Sequence, residues 1–325
     1  MDKPSGAPVL VTGAYGLVGG WLTKRLVESG RPVVVIKRDQ TPRSVISLLG
    51  LEPQLTVVRG DITTAGLIAR VLAEYEIEQV YHLAAQTLVP SANHNPLSTF
   101  ESNIRGTWLL LEACRGAGTI GSVVVAASDK AYGVHSELPY RETAVLNPLY
   151  PYDVSKAATD MIARSYWHSY GLPVAVTRFA NIYGGGDFNP SRLIPETVRS
   201  VLTGRAPVIR SDGSPQRDFL YVDDAVSAYE AIAALVEDGR GCGEAFNAGG
   251  GIPHRVLDVV TRLCELGGGS VSPELLGSGT PAGEIDSQWV DHSKLSGLCG
   301  WKPTVELDEG LARTLDWYRE FAPDW

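Results

Sequence analysis

PVLVTGAYGLVGGWL, residues 8–22, runs from a short apolar strand ending at Thr12 through glycines at 13, 16 and 19, with a helix beginning among them. Glycine lets the backbone turn tightly and approach a pyrophosphate, which the helix N-terminus stabilises through its free N–H groups and dipole. The turn from Gly13 through Tyr15, Gly16, Leu17 and Val18 to Gly19 is therefore expected to hold the phosphates of a dinucleotide.

Working outward, apolar runs bounded by turn residues recur at 8–12, 32–36, 55–58, 79–83, 122–127 and 174–179, with helical periodicity between them. Short, continuously apolar strands alternating with helices are what a parallel sheet covered on both faces requires. The expected fold is α/β, a Rossmann-like doubly wound parallel sheet. The alternation changes after Asn181, where YGGGDFNPSRLIP and later VIRSDGSPQRDFLYVDD gather glycine, proline and polar residues, while GEAFNAGGG at 243–251 reads as a strand returning to the sheet. The expected division is a dinucleotide-binding domain over 1–181 with a return segment at about 219–250, and a smaller C-terminal lobe over 182–218 and 251–325.

The residue ending the second strand discriminates between dinucleotides, because a carboxylate there hydrogen-bonds a ribose 2′-hydroxyl whereas a cation accommodates a 2′-phosphate. That position is Lys37, followed by Arg38, which favours NADP over NAD; Asp39, turned inward, would restore NAD binding. Asp61, after the third strand, is placed to reach the adenine edge, or to cap the helix that follows.

Downstream, VVVAASDKAYG at 123–133 places Ser128, Asp129 and Lys130 at a strand end, and YPYDVSKAATDMIARSYW at 150–167 has helical composition. Tyr152 and Lys156, at i and i+4, then share one helix face, and a nearby ammonium is expected to lower the tyrosine pKa and make it a usable base. An acid and an amine beside the serine hydroxyl suggest that proton chemistry accompanies a redox step. As a bare dipeptide, Asp129 and Lys130 would read as a surface ion pair.

On TGAYGLVG, GDI at 60–62, HLAAQ at 82–86, ESNIRGTWLLLEAC at 101–114, SDKAYG, YDVSK, RFANIYGGGD and RDFLYVDD, the chain resembles the extended short-chain dehydrogenases/reductases of the nucleotide-sugar epimerase and dehydratase group over nearly its whole length. The SDK triplet, GGGD and RLIP most resemble the CDP-glucose 4,6-dehydratases and other NDP-hexose 4,6-dehydratases. Lys37 and Arg38 depart from that pattern toward the NADP-binding GDP-mannose dehydratases. The resemblance implies that Tyr152 deprotonates a sugar 4-hydroxyl with Ser128 polarising the oxygen and Lys156 also holding the cofactor ribose, that Lys130 removes the C5 proton, and that Asp129 protonates the departing 6-hydroxyl. It also implies cofactor contacts from Ile62, Leu83, Ala84 and Ala85, sugar-nucleotide contacts from Gln86, Asn103, Asn181, Arg192 and Arg217, and a homodimer through helices beginning near Phe100 and Tyr152. His82 reads as a packed, hydrogen-bonded residue rather than a base.

A net charge of −9 and a pI near 5.2 argue against a nucleic-acid or anionic-membrane surface, so an anionic ligand needs a focused site. The four cysteines are scattered without ligand spacing, so no metal is expected. The start of the chain has no signal-peptide pattern and no run approaches membrane-spanning length, which reads as a cytoplasmic protein, and the resemblance implies that it is a lyase. A nucleotide-sugar 4-epimerase, or a catalytically silent dinucleotide-binding scaffold, is the competing expectation.

Overall fold

The computed structural model describes residues 6–279 and 285–325. Its centre is a seven-stranded sheet. In chain order the elements begin β1 (Val9–Thr12), α1 (Leu17–Glu28), β2 (Val33–Lys37), α2 (Val45–Leu48), β3 (Thr56–Arg59), α3 (Leu67–Glu74) and β4 (Gln79–His82). They continue with α4 (Val89–His94), α5 (Pro96–Phe100), α6 (Gly106–Ala117), β5 (Ser122–Ala126), α7 (Pro151–Tyr170) and β6 (Val174–Phe179).

A later strand, β11 (Ala245–Ala248), closes the far edge against β6, so the strand order is β11-β6-β5-β4-β1-β2-β3 with every pairing parallel. The Rossmann-like expectation therefore holds. Because successive side chains on a strand point to opposite faces, β1 sends Val9 and Val11 into one apolar layer and Leu10 into the other. The first layer packs under α1 and α9 (Val222–Glu237), and the second under α3, α6 and the inner face of α7. The direction of winding reverses between β1 and β4, which opens a crevice at the C-terminal ends of those strands.

Beyond β6 lie β7 (Asn181–Tyr183), α8 (Leu193–Leu202), β8 (Val208–Ile209), β9 (Gln216–Arg217) and β10 (Phe219–Tyr221), the last paired with β7. After β11 come β12 (His254–Arg255), α10 (Val256–Leu266), β13 (Glu274–Leu275), β14 (Ser287–Gln288), α11 (Ser293–Cys299) and α12 (Leu307–Phe321). The strands after β11 are two residues long, too short for a periodic signal, which is why the sequence shows few of them. A third apolar layer joins α8, α10 and α12 around Val198, Leu263, Leu311 and Tyr318.

Three consecutive glycines lock this part to the sheet side. A Cβ on Gly184 would lie 2.6 Å from Val222 Cγ1, one on Gly185 2.2 Å from Trp317 Cγ, and one on Gly186 2.4 Å from Val45 Cγ2. The Gly185 carbonyl also accepts a 2.7 Å hydrogen bond from Trp21 Nε1 on α1.

Candidate active site

The turn between β1 and α1 is shaped for close backbone approach. Gly13 has φ +74°, and a Cβ there would sit 2.6 Å from Ala84 N; one on Gly19 would sit 2.2 Å from Gly13 O. Gly16 caps α1 without a side-chain hydrogen bond, so the first amides of that helix stay available to an anion. These features fit a pyrophosphate. Leu17 and Ile62 are buried in the apolar layers, which leaves mainly their backbone for a ligand, whereas Tyr15, Val18, Leu83, Ala84 and Ala85 are partly exposed.

A hydrogen-bond relay sets the loop after β4. The Ala84 amide donates to Thr12 Oγ1, and the Thr107 hydroxyl donates to the Asn103 carbonyl. His82 lies between them, 2.8 Å from Thr12 Oγ1 through Nδ1 and 3.0 Å from Thr107 Oγ1 through Nε2. With the Thr107 hydrogen committed, Nε2 donates and Nδ1 accepts. Burial pushes the His82 pKa down to about 3, so the ring stays neutral. Asn103 continues the relay, accepting from the Gln86 amide and donating to the Gln86 carbonyl and the Ser155 hydroxyl on α7. It lies in a π-turn over Glu101–Arg105, a distortion that frequently accompanies functional sites.

At the end of β2 the structure corrects one expectation. Lys37 does not offer a free cation: its side chain is 8% exposed and its ammonium lies 2.5 Å from Glu52 Oε1 and 4.5 Å from the Tyr15 ring centre. The partner is in a one-turn helix (Glu52–Gln54) beyond the reach of local sequence reading. Arg38 is 57% exposed but lies 2.7 Å from Asp39 and 3.9 Å from Asp61. Asp61 Oδ1 accepts from both the amide and the hydroxyl of Thr63, closing the turn before α3.

Ser128 stands two residues past β5 and caps a short 3-10 turn, Asp129–Tyr132. Its oxygen accepts from the Lys130 amide, and its hydroxyl donates to Asp129 Oδ1 at 3.0 Å. Asp129 is 3% exposed and its Oδ2 has no hydrogen-bond partner among the described residues. Burial raises its pKa to about 6 against the opposing pull of Lys130, Ser128 and Arg217. Lys130 also acts on Asp153, whose own carboxyl is raised by burial, so this ammonium stands between two acids.

Tyr152 and Lys156 lie one turn apart on the buried face of α7. The Lys156 ammonium donates to the Ala126 carbonyl at 2.8 Å, and burial lowers its pKa to about 8. Tyr152 differs from expectation. Burial raises its pKa to about 12, and the leading cation opposing that rise is Arg192, with Ser128 helping. Desolvation of the ring outweighs the charge of Arg192 and the Ser128 hydrogen bond, which spacing alone could not show.

Arg192 reaches this centre from the N-terminus of α8, donating to Asp187 at 2.8 Å and to Thr87 at 3.1 Å. Arg217 on β9 acts on Asp129 and donates to the carbonyls of Gln216 and Asp286. Asn181 turns its amide to the Asp218 carbonyl instead of outward. Asp218 itself is fully buried, accepts from the Gly250 amide, and has its pKa raised to about 7 by burial with a contribution from Asp129.

Sequence reasoning overlooked the buried frame behind these groups. Arg178 on β6 is 1% exposed and bidentate to Asp160 on α7 at 2.7 and 3.0 Å; it also donates to the Tyr132 hydroxyl. Tyr132 in turn donates to Asn247 on β11. One guanidinium thus ties the Asp129 turn, the Tyr152 helix and the sheet together. A lone arginine inside the apolar strand VAVTRF was the available signal.

The chain matches the family described as NAD dependent epimerase/dehydratase over residues 9–249. It is 31% identical over 335 residues to a trifunctional UDP-glucose 4,6-dehydratase, 3,5-epimerase and reductase of Arabidopsis thaliana, covering 100% of this chain and 49% of that one. The chain spans about half the length of this and two further Arabidopsis relatives. Among solved structures, a dTDP-glucose 4,6-dehydratase of Streptomyces venezuelae with NAD bound superposes with a TM-score of 0.86 at 30% identity, covering 98% of each chain. A UDP-glucose 4-epimerase of Thermotoga maritima with UDP-glucose gives 0.87 at 28% identity, covering 96% of this chain and 99% of that one.

Proposed function

The chain belongs to the NAD dependent epimerase/dehydratase family, and from that premise we propose that it is an NDP-hexose 4,6-dehydratase, a lyase that forms an NDP-4-keto-6-deoxyhexose. The observation that carries the reading is Asp129, a buried carboxyl with an unpartnered oxygen and a pKa raised to about 6, set between Ser128 and Lys130. An epimerase needs no acid at this place, whereas elimination of water does.

The glycine turn and the uncapped N-terminus of α1 would hold the dinucleotide, and Lys156 would be the residue to meet its ribose. A nicotinamide held there would supply the hydride acceptor for the sugar C4 and the hydride donor for C6. Tyr152 takes the proton of the 4-hydroxyl while Ser128 hydrogen-bonds the same oxygen, and the positive charge of Arg192 counters part of the burial that disfavours the phenolate. The resulting ketone acidifies the C5 proton, which Lys130 removes and hands back to C5 when hydride arrives at C6. Asp129 protonates the 6-hydroxyl, and water leaves. With a pKa of about 6, about one Asp129 in ten holds that proton at pH 7, and a sugar that expels water raises the fraction.

Gln86 borders the sugar side, which Asn103 and Asn181 support from behind through the backbone they hold, and Arg192 and Arg217 meet the diphosphate end. Of the two charges that favour NADP in the sequence, only Arg38 remains exposed, so the balance moves to NAD, the nucleotide bound in the Streptomyces venezuelae enzyme. Exposed Leu97, Trp108 and Met161 on α5, α6 and α7 support a homodimer through those helices, which light scattering showing a monomer at micromolar concentration would remove. Among the described residues no helix is long and apolar enough to cross a membrane, and we place the enzyme in the cytoplasm.

Incubation of the purified chain with CDP-, GDP-, dTDP- and UDP-hexoses, followed by mass spectrometry, tests the reading. Loss of one water is the expected outcome. An isomer of unchanged mass would make the chain a 4-epimerase, like its Thermotoga maritima neighbour, and no turnover of any donor would make it a silent scaffold.

A further inference from the structure

We infer that Glu52 selects the dinucleotide: its carboxylate, delivered from the turn before β3, supplies the acid that the end of β2 lacks and accepts a hydrogen bond from the adenosine ribose 2′-hydroxyl, so that NAD is held in preference to NADP. The inference rests on the reading that the crevice binds a nicotinamide dinucleotide.

Position comes first. Lys37 closes β2 at the site where strand-end chemistry distinguishes a 2′-hydroxyl from a 2′-phosphate, and Tyr15 lies in the phosphate turn beside it. Both converge on one oxygen. The Lys37 ammonium donates to Glu52 Oε1 at 2.5 Å and the Tyr15 hydroxyl donates to the same atom at 2.7 Å. Oε2 accepts no hydrogen bond among the described residues, and the Glu52 side chain is 42% exposed. A fixed carboxylate with one spoken-for oxygen and one open oxygen is a hydroxyl acceptor.

Charge decides the discrimination. Lys37 is sealed beneath Glu52 and the Tyr15 ring, and a buried ammonium keeps its charge only while paired. An incoming 2′-phosphate would meet Glu52 before Lys37, and like-charge juxtaposition rejects it. Arg38, the remaining cation of the strand end, is flanked by Asp39 and Asp61. Lys37 and Arg59 hold Glu52 ionised, its carboxyl lying below the usual value chiefly through the Lys37 and Tyr15 hydrogen bonds.

The test is fluorescence titration of the full chain with NADH and NADPH, together with chromatographic identification of any nucleotide that co-purifies. Wild type is expected to bind NADH at least about tenfold more tightly, the worth of one charge-assisted contact. Glu52→Gln should bring the two constants within about threefold of each other. Because that change strands the Lys37 ammonium, the double variant Lys37→Met/Glu52→Gln removes both charges and should show the same equalised binding in a folded protein, checked by circular dichroism. Lys37→Met alone should keep the NADH preference. A wild type that prefers NADPH, or variants lacking Glu52 that retain the wild-type ratio, would overturn the role of Glu52. Binding of neither nucleotide by wild type would overturn the dinucleotide reading, and the proposal with it.

Discussion

Replacing Asp129 with asparagine should make the protein's stability less sensitive to rising pH while abolishing water elimination. The carboxyl is 3% exposed, one of its oxygens has no partner among the described residues, and burial moves its pKa from 3.8 to about 6. A folded-state pKa above the unfolded value means that the group's contribution is fully present below about pH 4 and is lost as pH rises through about 6. Two pKa units correspond to about 3 kcal/mol as a ceiling, which side-chain rearrangement and water entry reduce. The substituted carboxamide does not ionise and escapes that loss. Its nitrogen would occupy a place without an acceptor, but that penalty is independent of pH and cancels from the slope. The stability difference should therefore grow in the variant's favour by about 2 kcal/mol between about pH 4.5 and 8. Asp218 adds in the same direction, because the charge on Asp129 helps to raise its pKa to about 7. Urea unfolding followed by tryptophan fluorescence at about pH 4.5, 6 and 8 measures the difference. Parallel stability profiles, within about 0.5 kcal/mol across that range, would refute the burial argument on which the acid role of Asp129 stands.

Lys130→Met should still allow substrate to reduce bound cofactor, read as absorbance near that of a reduced nicotinamide, while releasing no water; dehydration at a near wild-type rate would remove Lys130 from proton transfer. Arg178→Met should lose about 3–5 kcal/mol in urea unfolding because Asp160 is left buried without its bidentate partner, and Arg178→Met/Asp160→Asn should recover part of that loss. Gly185→Ala should cost about 1–3 kcal/mol, since its methyl would have to displace the Trp317 ring, and unchanged stability would mean that α12 yields easily.

The sheet was legible because each strand is a short run of apolar residues bounded by turns, and the layers on both faces demand that pattern regardless of tertiary detail. The turn at Gly13–Gly19 and the Tyr152 and Lys156 pair were legible for the same local reason: their geometry lies within one element. What escaped depends on partners far apart in the chain. Lys37 looked like a phosphate ligand because Glu52 lies 15 residues on, in a turn without periodic signal. Tyr152 looked like a ready base because spacing reveals the neighbouring ammonium and conceals the desolvation. Arg178 and Asp160 were silent because an ion pair between a strand and a helix leaves no spacing rule to read.

The run Gly184–Gly186 has the composition of a swivel, yet Val222, Trp317 and Val45 pack so closely on it that none of the three positions has room for a side chain. It acts as a keystone between α1, α9 and α12. Residues past β7 are consequently packed through bare backbone against the sheet-side helices, and any side chain added at this joint would push the two parts of the chain apart. Cofactor turn and C-terminal helix also share one fate: Trp21 leaves α1 to grip the Gly185 carbonyl, whose own residue backs onto Trp317. A truncation that removes α12 would therefore be felt at the dinucleotide turn, on the opposite side of the glycines from the cut.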